Sequence, residues 1–210
     1  MPGDGDPFSM ADQAVSGGDG GAYPDALSDA SNVLLLTPPD PGTAGRCIRH
    51  LTPPATESAL GVTYTQSPTD WLVRWRTESD VDQGAVVAVG EVGGTDTPQL
   101  PDGWWGERVT APADLSGTGI ALTNALADLE SVGPTAVCFD SVTALLQYAD
   151  VQSVFRFLHA VTGRVSSTDA VAHYHLDPAA HDEQTVATVR TLFDAVAEAD
   201  AAGDLTVTTR

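Results

Sequence analysis

The stretch that decides the fold is Asn32–Leu36, which reads Asn-Val-Leu-Leu-Leu and runs directly into Thr-Pro-Pro-Asp-Pro-Gly-Thr-Ala at residues 37–44. A short run that is apolar at nearly every position is typical of a strand buried on both faces of a parallel sheet. Further strands are predicted at 61–65, 85–89, 135–139 and Ala170–Leu176, alternating with predicted helices at 45–51, 68–77, 115–130, 151–162 and 183–192. This alternation predicts an α/β fold: a mostly parallel sheet with helices on both faces. A C-terminal β-hairpin is predicted to pair 193–199 with Leu205–Thr209.

The two ends of the chain differ in composition. Residues 1–30 are rich in Gly, Asp, Ser and Pro and contain few large apolar side chains, so we expect a disordered acidic tail without a signal peptide. Residues 31–210 then form a single domain. Within it, the Gly- and Pro-rich residues 93–111 are predicted to be a loop, and Gly163 is predicted to end the fourth of the five helices.

The charge balance limits the partners. Acidic residues number 29 against nine basic ones, all of them Arg, for a net charge of −20. This surplus, spread over the whole chain, indicates a halophilic protein of a salt-rich cytoplasm, where self-repulsion is screened. It disfavours nucleic acid and anionic membranes as partners, because both are bound through Lys and Arg clusters. The expected partner is therefore another protein or a second copy of the chain. Cys47 and Cys138 are expected to be buried free thiols.

Residues 37–44 occupy the place of a phosphate-binding loop, whose pattern Gly-x4-Gly-Lys-Ser/Thr joins a first strand to a first helix. Gly42 matches the second glycine, but Thr37, Thr43 and Ala44 replace the first glycine, the lysine and the Ser/Thr. The lysine would neutralise phosphate charge and the hydroxyl would hold Mg²⁺, so both losses weaken nucleotide binding.

Other residues of this region affect the same site. Three prolines remove amide donors from the loop, and Asp40 places a negative charge where a phosphate would bind. Arg46 is the nearest cation that could stand in for the lysine. Asp140 follows the fourth buried strand, the usual place of a Mg²⁺-organising carboxylate, although a capping role explains it equally well.

Several stretches together resemble a known family. GVTYTQSP at 61–68, TAVCFDSVTALLQY at 135–148 and the long segment at 170–196 resemble a RecA-superfamily domain of unknown function found in extreme halophiles, similar to the KaiC clock ATPases and the GvpD gas-vesicle regulator. The resemblance implies a RecA-like P-loop core. In KaiC-like ATPases a glutamate pair after the second strand activates the attacking water, and here that place holds Gln66-Ser67. Of the catalytic set, Asp140 alone carries over.

A histidine cluster offers a second chemistry. His173 and His175 lie two residues apart on a predicted strand, so both point to one face, and His181 follows with neighbouring carboxylates. Three imidazoles and a carboxylate could form a tetrahedral metal site. The alternative is polar packing, or a contact with a partner, at the end of the last core strand.

The four tryptophans fall into two pairs. Trp71 and Trp75, one helical turn apart, are expected in the core, with Arg74 or Arg76 stacked at the edge. Trp104-Trp105 is either an exposed partner contact or part of a loop folded onto the core.

The sequence favours a non-catalytic RecA/KaiC-like regulatory or signalling module, a pseudo-ATPase that needs no cofactor and acts through protein contacts. The first alternative is a weak ATP-binding protein or slow ATPase using Mg²⁺, with Gly42, Thr43, Ala44, Arg46 and Asp140 as its nucleotide site. The second is a metal-dependent enzyme built on His173, His175 and His181.

Overall fold

A computed structural model describes residues 13–15, 23–38, 41–94, 96, 99–199 and 205–210, with the backbone alone at 13–15, 41–44 and 46. Within this part of the chain, nine strands form one sheet in the order β1-β9-β8-β2-β7-β6-β3-β4-β5. Neighbouring strands are parallel except for the antiparallel pairs β1–β9 and β8–β9. The strands are β1 Gln13–Val15, β2 Asn32–Leu36, β3 Ser58–Thr63, β4 Gly84–Val89, β5 Trp104–Val109, β6 Thr135–Asp140, β7 Ala170–Leu176, β8 Ala195–Ala199 and β9 Leu205–Thr209.

Helices cover both faces of this sheet. They are α1 Pro41–Leu51, α2 Pro68–Glu78, α3 Leu115–Leu129, α4 Val142–Leu145, α5 Val151–Ser166 and α6 Glu183–Arg190, with short 3-10 helices at Asp25–Leu27 and Pro178–Ala180. Side chains that accept from the first-turn amides fix several helix starts, namely Ser67, Asp114, Ser141, Asp150 and Asp182.

The core explains why the central strands are apolar throughout. Strands β2, β3 and β4 are buried at every position. On one face, side chains of α3, α4 and α5 pack on the central strands. On the other face, side chains of α1 and α2 pack on alternate residues of the same strands. The predicted sheet with helices on both faces and a C-terminal hairpin is therefore confirmed.

Strand β5 corrects the prediction of a loop over residues 93–111. Its buried ends, Trp104 and Val109, enclose partly exposed residues, and it pairs in parallel with β4. Because β5 lies at the edge of the sheet, it needs few buried side chains. The glycines on either side of Trp104-Trp105 favour the prediction of a loop rather than a strand.

Two helix predictions also need correction. Helix α5 passes through Gly163 to Ser166 because Val165 is buried against the core and continues the apolar face. The apolar spacing in α3 predicts a buried stripe of Ile120, Leu122, Leu126 and Leu129. The three leucines are buried, but the side chain of Ile120 is 61% exposed, and Ala121 and Ala125 complete the buried face.

The described parts of residues 1–30 differ from the expected disordered tail. Gln13–Val15 pairs with β9, and Leu27, 1% exposed, packs with Val33 and Leu35 under α1. The Tyr23 hydroxyl donates to the Leu27 carbonyl at 3.1 Å. These segments thus extend the sheet and its core. Of the helices in the described ranges, none is long and apolar enough to cross a membrane.

Candidate functional site

A cavity of about 440 Å³ lies at the carboxyl ends of β2, β3, β6 and β7. Parallel strands of an open α/β sheet present their carboxyl ends at one edge, which is where such sheets bind ligands. The lining residues are Thr37, Pro38, Thr65, Gln66, Arg74, Asp140, Ser141, Thr143, Ala144, Gln147, His175, Leu176, Asp177 and Ala180.

Asp140, the last residue of β6, is held by protein donors. Its Oδ2 atom accepts a hydrogen bond from Thr65 Oγ1 at 2.9 Å and another from the amide Nε2 of Gln66. Gln66 is itself fixed, because its backbone N–H donates to Thr63 Oγ1 at 3.0 Å and its carbonyl accepts from the same hydroxyl at 3.1 Å. Two residues of the turn after β3 therefore hydrogen-bond to the carboxylate of Asp140, the group for which the sequence suggested a role in Mg²⁺ binding.

The strand-to-helix connection is described in part. Thr37 and Pro38 line the cavity, and the Thr37 amide donates to the Leu176 carbonyl at 3.0 Å. Residues 39–40 lie outside the described ranges, as do the side chains of Thr43, Ala44 and Arg46, while the backbone at Gly42 belongs to the first turn of α1. Of the predicted nucleotide-site residues, Asp140 is thus the one whose side chain is placed in the cavity.

Arg74 is a lining residue that the sequence analysis did not assign to the site. It lies on α2 three residues after the buried Trp71 and one before the buried Trp75. This spacing places all three on one side of the helix, and it is the signal that could have indicated Arg74. Arg74 and Asp140 both line the cavity, so its wall contains residues of both charges.

The structure brings His173 and His175 together with Cys138. One ligand atom from each of these three residues lies within 4.8 Å of the other two. The Cys138 Sγ atom is 3.7 Å from His175 Nε2, and the two imidazole rings are 5.2 Å apart. His181, predicted as the third ligand, lies outside this group, at the end of the 3-10 helix Pro178–Ala180. Cys138 could not be assigned to this group from the sequence because it lies on β6, a different strand from the two histidines.

Burial governs the ionisation of this cluster. Loss of water lowers the pKa of His173 well below its usual value, and the neighbouring His175 lowers it further. Burial also lowers the pKa of His175, against an opposing effect of Asp140 and with a further lowering by Arg74. The pKa of the Cys138 thiol is raised, mainly by burial. Both imidazoles are therefore neutral and the thiol is protonated at neutral pH.

The tryptophans divide between core and surface. Trp71 and Trp75 are buried and stacked, with ring centroids 5.2 Å apart, and Trp104 packs edge-on against Trp71 at 6.1 Å. Trp105 is 38% exposed on the edge strand. Trp104 is thus buried in the core and Trp105 is partly exposed, and both lie on a strand rather than on the predicted loop.

The mostly parallel sheet with helices on both faces has a RecA-like fold, and solved structures share it. A protein of Pyrococcus horikoshii OT3 aligns with a TM-score of 0.54 at 11% identity, over 82% of this chain and 83% of its own. A prototypical ATPase from the type III secretion system of pathogenic bacteria aligns with a TM-score of 0.50 at 13% identity, over 82% of this chain. The chain spans about half, 51%, of that ATPase. At such identities the likeness shows the fold alone.

The chain belongs to a family of unknown function, DUF7504, whose model matches residues 30–199. No curated protein matches it significantly in sequence.

Proposed function

We propose that this chain is a RecA-like regulatory module that does not hydrolyse nucleotide and acts through protein contacts. The observation that carries the proposal is the pair of hydrogen bonds from Thr65 and Gln66 to Asp140 Oδ2. They engage the strand-end carboxylate that would organise Mg²⁺ in a P-loop hydrolase.

The nature of these donors supports loss of hydrolysis. A general base must accept a proton from the attacking water, and the Gln66 amide at this place has no proton affinity near neutral pH. The sequence also contains no lysine that could neutralise a γ-phosphate. Hydrogen bonds to charged groups contribute about 1.5–3 kcal/mol each, so a transition state would lack several of its usual contacts.

The first prediction concerns Mg-ATP. Purified chain in concentrated KCl should release no phosphate, and its thermal midpoint should be unchanged by millimolar Mg-ATP. Asp140→Asn is the matched control, because it removes the Mg²⁺-binding charge at the centre of the cavity. Phosphate release by the wild type that Asp140→Asn abolishes would overturn the proposal.

A weak nucleotide binder is the second candidate, and Arg74 favours it. Arg74 lines the cavity together with Thr143, and a guanidinium and a hydroxyl are groups able to hold an anion. The same titration separates the two functions: a ligand at 100 times its Kd stabilises a protein by about 2.7 kcal/mol. A midpoint that rises with Mg-ATP in the wild type but not in Arg74→Met, without phosphate release, would favour this candidate.

For the protein contact we propose the outer edge of β5, with a second copy of this chain as the partner. No strand of the described residues pairs with this edge, so its backbone groups are open to strand addition. Trp105 lies on this edge strand and is 38% exposed, and exposed aromatic residues often anchor protein interfaces.

The second prediction tests this edge. Trp105→Ser should weaken self-association about tenfold or more, because loss of an aromatic hot spot typically costs about 2 kcal/mol or more and each ~1.4 kcal/mol is a factor of ten. Sedimentation equilibrium at fixed KCl measures it. Tyr148→Ser serves as the control, since Tyr148 is also exposed but lies on the turn after α4. A wild type that stays monomeric at all concentrations, or equal effects of both variants, would contradict the proposed edge contact.

A further inference from the structure

We propose that Cys138, His173 and His175 form a buried binding site for a zinc ion, independent of whether the chain binds nucleotide. The ligand atoms of all three residues lie within 4.8 Å of one another. One ion can therefore bind all three after small side-chain adjustments.

The sheet itself builds the site. Cys138 on β6 is directly opposite His173 on β7 in the parallel register, and His175 is two residues further along the same strand. Because strand side chains alternate between faces, all three project to the face covered by α1 and α2. Cys138 packs there with Trp71 and Ile48. A rigid central pair of strands thus fixes the spacing of the ligands.

The distances match zinc coordination. With a Zn–S bond of about 2.3 Å and a Zn–N bond of about 2.0 to 2.1 Å, tetrahedral geometry places the sulfur and nitrogen about 3.6 Å apart. The separation of Cys138 Sγ and His175 Nε2 is 3.7 Å. These two ligands therefore need almost no movement to bind one ion.

His173 supplies the second observation. Its side chain is among the most deeply buried in the protein, with the residue 1% exposed, and neither ring nitrogen has a hydrogen-bond partner among the described residues. A buried polar group without a partner is costly and rare. A metal bond would satisfy one of these two nitrogens, whereas packing against neighbouring side chains satisfies neither.

The donor set selects the ion. One sulfur and two imidazole nitrogens suit Zn²⁺, whereas Mg²⁺ and Ca²⁺ require oxygen ligands. On binding, the Cys138 S–H bond breaks, a Zn–S bond forms, and the proton goes to solvent. His175 also lines the 440 Å³ cavity, which gives the ion an entry path and leaves its fourth position to a water molecule. Three protein ligands and one open position are typical of a reactive zinc site rather than a structural one.

The third prediction is a zinc stoichiometry. Full-length protein equilibrated with Zn²⁺ in concentrated KCl and then dialysed against metal-free buffer should retain about one ion per chain by elemental analysis. Cys138→Ser and His173→Gln should lose it. His181→Ala, which removes a histidine outside the group, should retain it. Zinc near zero in the wild type, or unchanged zinc in folded Cys138→Ser, would overturn the site.

Co²⁺ tests coordination by Cys138 in the wild-type protein, so this result does not depend on whether a ligand variant folds. Co²⁺ bound by the wild type should give a thiolate-to-cobalt charge-transfer band together with the visible bands of a tetrahedral site. Cys47→Ser should keep the thiolate band, because Cys47 lies outside the proposed ligand set. Absence of the band in the wild type, or its loss in Cys47→Ser alone, would contradict coordination by Cys138.

Discussion

Phe139→Ala should lower the free energy of unfolding by about 3 to 5 kcal/mol, because it truncates a large aromatic side chain at the centre of the core. Phe139 is fully buried on β6, one residue before Asp140 and one after Cys138. Its ring contacts Tyr64, Tyr174 and Phe157, with centroids 5.8, 5.7 and 6.2 Å away. Alanine would remove these ring contacts and leave a cavity that the surrounding strands cannot close.

Urea unfolding at fixed KCl measures this loss, because urea leaves the ionic strength unchanged while guanidinium would not. Val73→Ala is the control: Val73 is 62% exposed on α2, and its truncation should change stability by no more than about 0.5 kcal/mol. A loss below about 1 kcal/mol for Phe139→Ala would mean that the packing around β6 differs from that described.

Asn32→Leu should be the second most damaging change, costing about 3 kcal/mol. Asn32 opens β2 and joins three elements through its buried side chain. Its Nδ2 donates to the Thr162 carbonyl at 3.2 Å and to Ser166 Oγ at 2.9 Å, both on α5. Its Oδ1 accepts from the Tyr174 hydroxyl on β7 at 2.9 Å. Leucine has the same number and branching of side-chain heavy atoms but leaves the buried Thr162 carbonyl and Tyr174 hydroxyl without their partner.

A double-mutant cycle tests whether the loss of stability comes from the broken hydrogen bonds of Asn32 rather than from the change in side-chain volume. Tyr174→Phe alone should cost about 1 to 2 kcal/mol, because it removes one donor from Asn32 Oδ1. In the Asn32→Leu background the same change should cost almost nothing, since the Tyr174 hydroxyl has already lost its acceptor. Strictly additive losses would show that the Asn32–Tyr174 hydrogen bond does not form. The measurement is again urea unfolding at fixed KCl.

Part of the candidate site followed from the sequence. Asp140 could be placed because a residue that ends a buried parallel strand lies at the ligand-binding edge of the sheet. His173 and His175 could be placed on one face because strand side chains alternate. Gln66 could be singled out because it lies in the turn directly after a predicted strand of the same sheet. Each of these inferences depends on residues near one another in the chain.

Other parts of the site could not be found in this way. Cys138 joins the two histidines through the register between β6 and β7, and Arg74 reaches the cavity through the packing of α2. Closeness in sequence predicts His181 beside the histidines, yet the Pro178–Ala180 turn places it outside their group. Proximity along the chain therefore does not predict proximity in space where a turn changes the direction of the backbone.

The sequence by itself determined the α/β class, the buried strands, the absence of lysine and the acidic excess, because periodicity and composition are local properties of the chain. The tertiary structure alone decided that β5 forms one edge of the sheet, that Gln13–Val15 and Leu27 join the fold, and that Cys138 lies beside His173 and His175. These arrangements depend on strand register and helix packing between distant residues. Their free energies come from many weak contacts that no local pattern encodes.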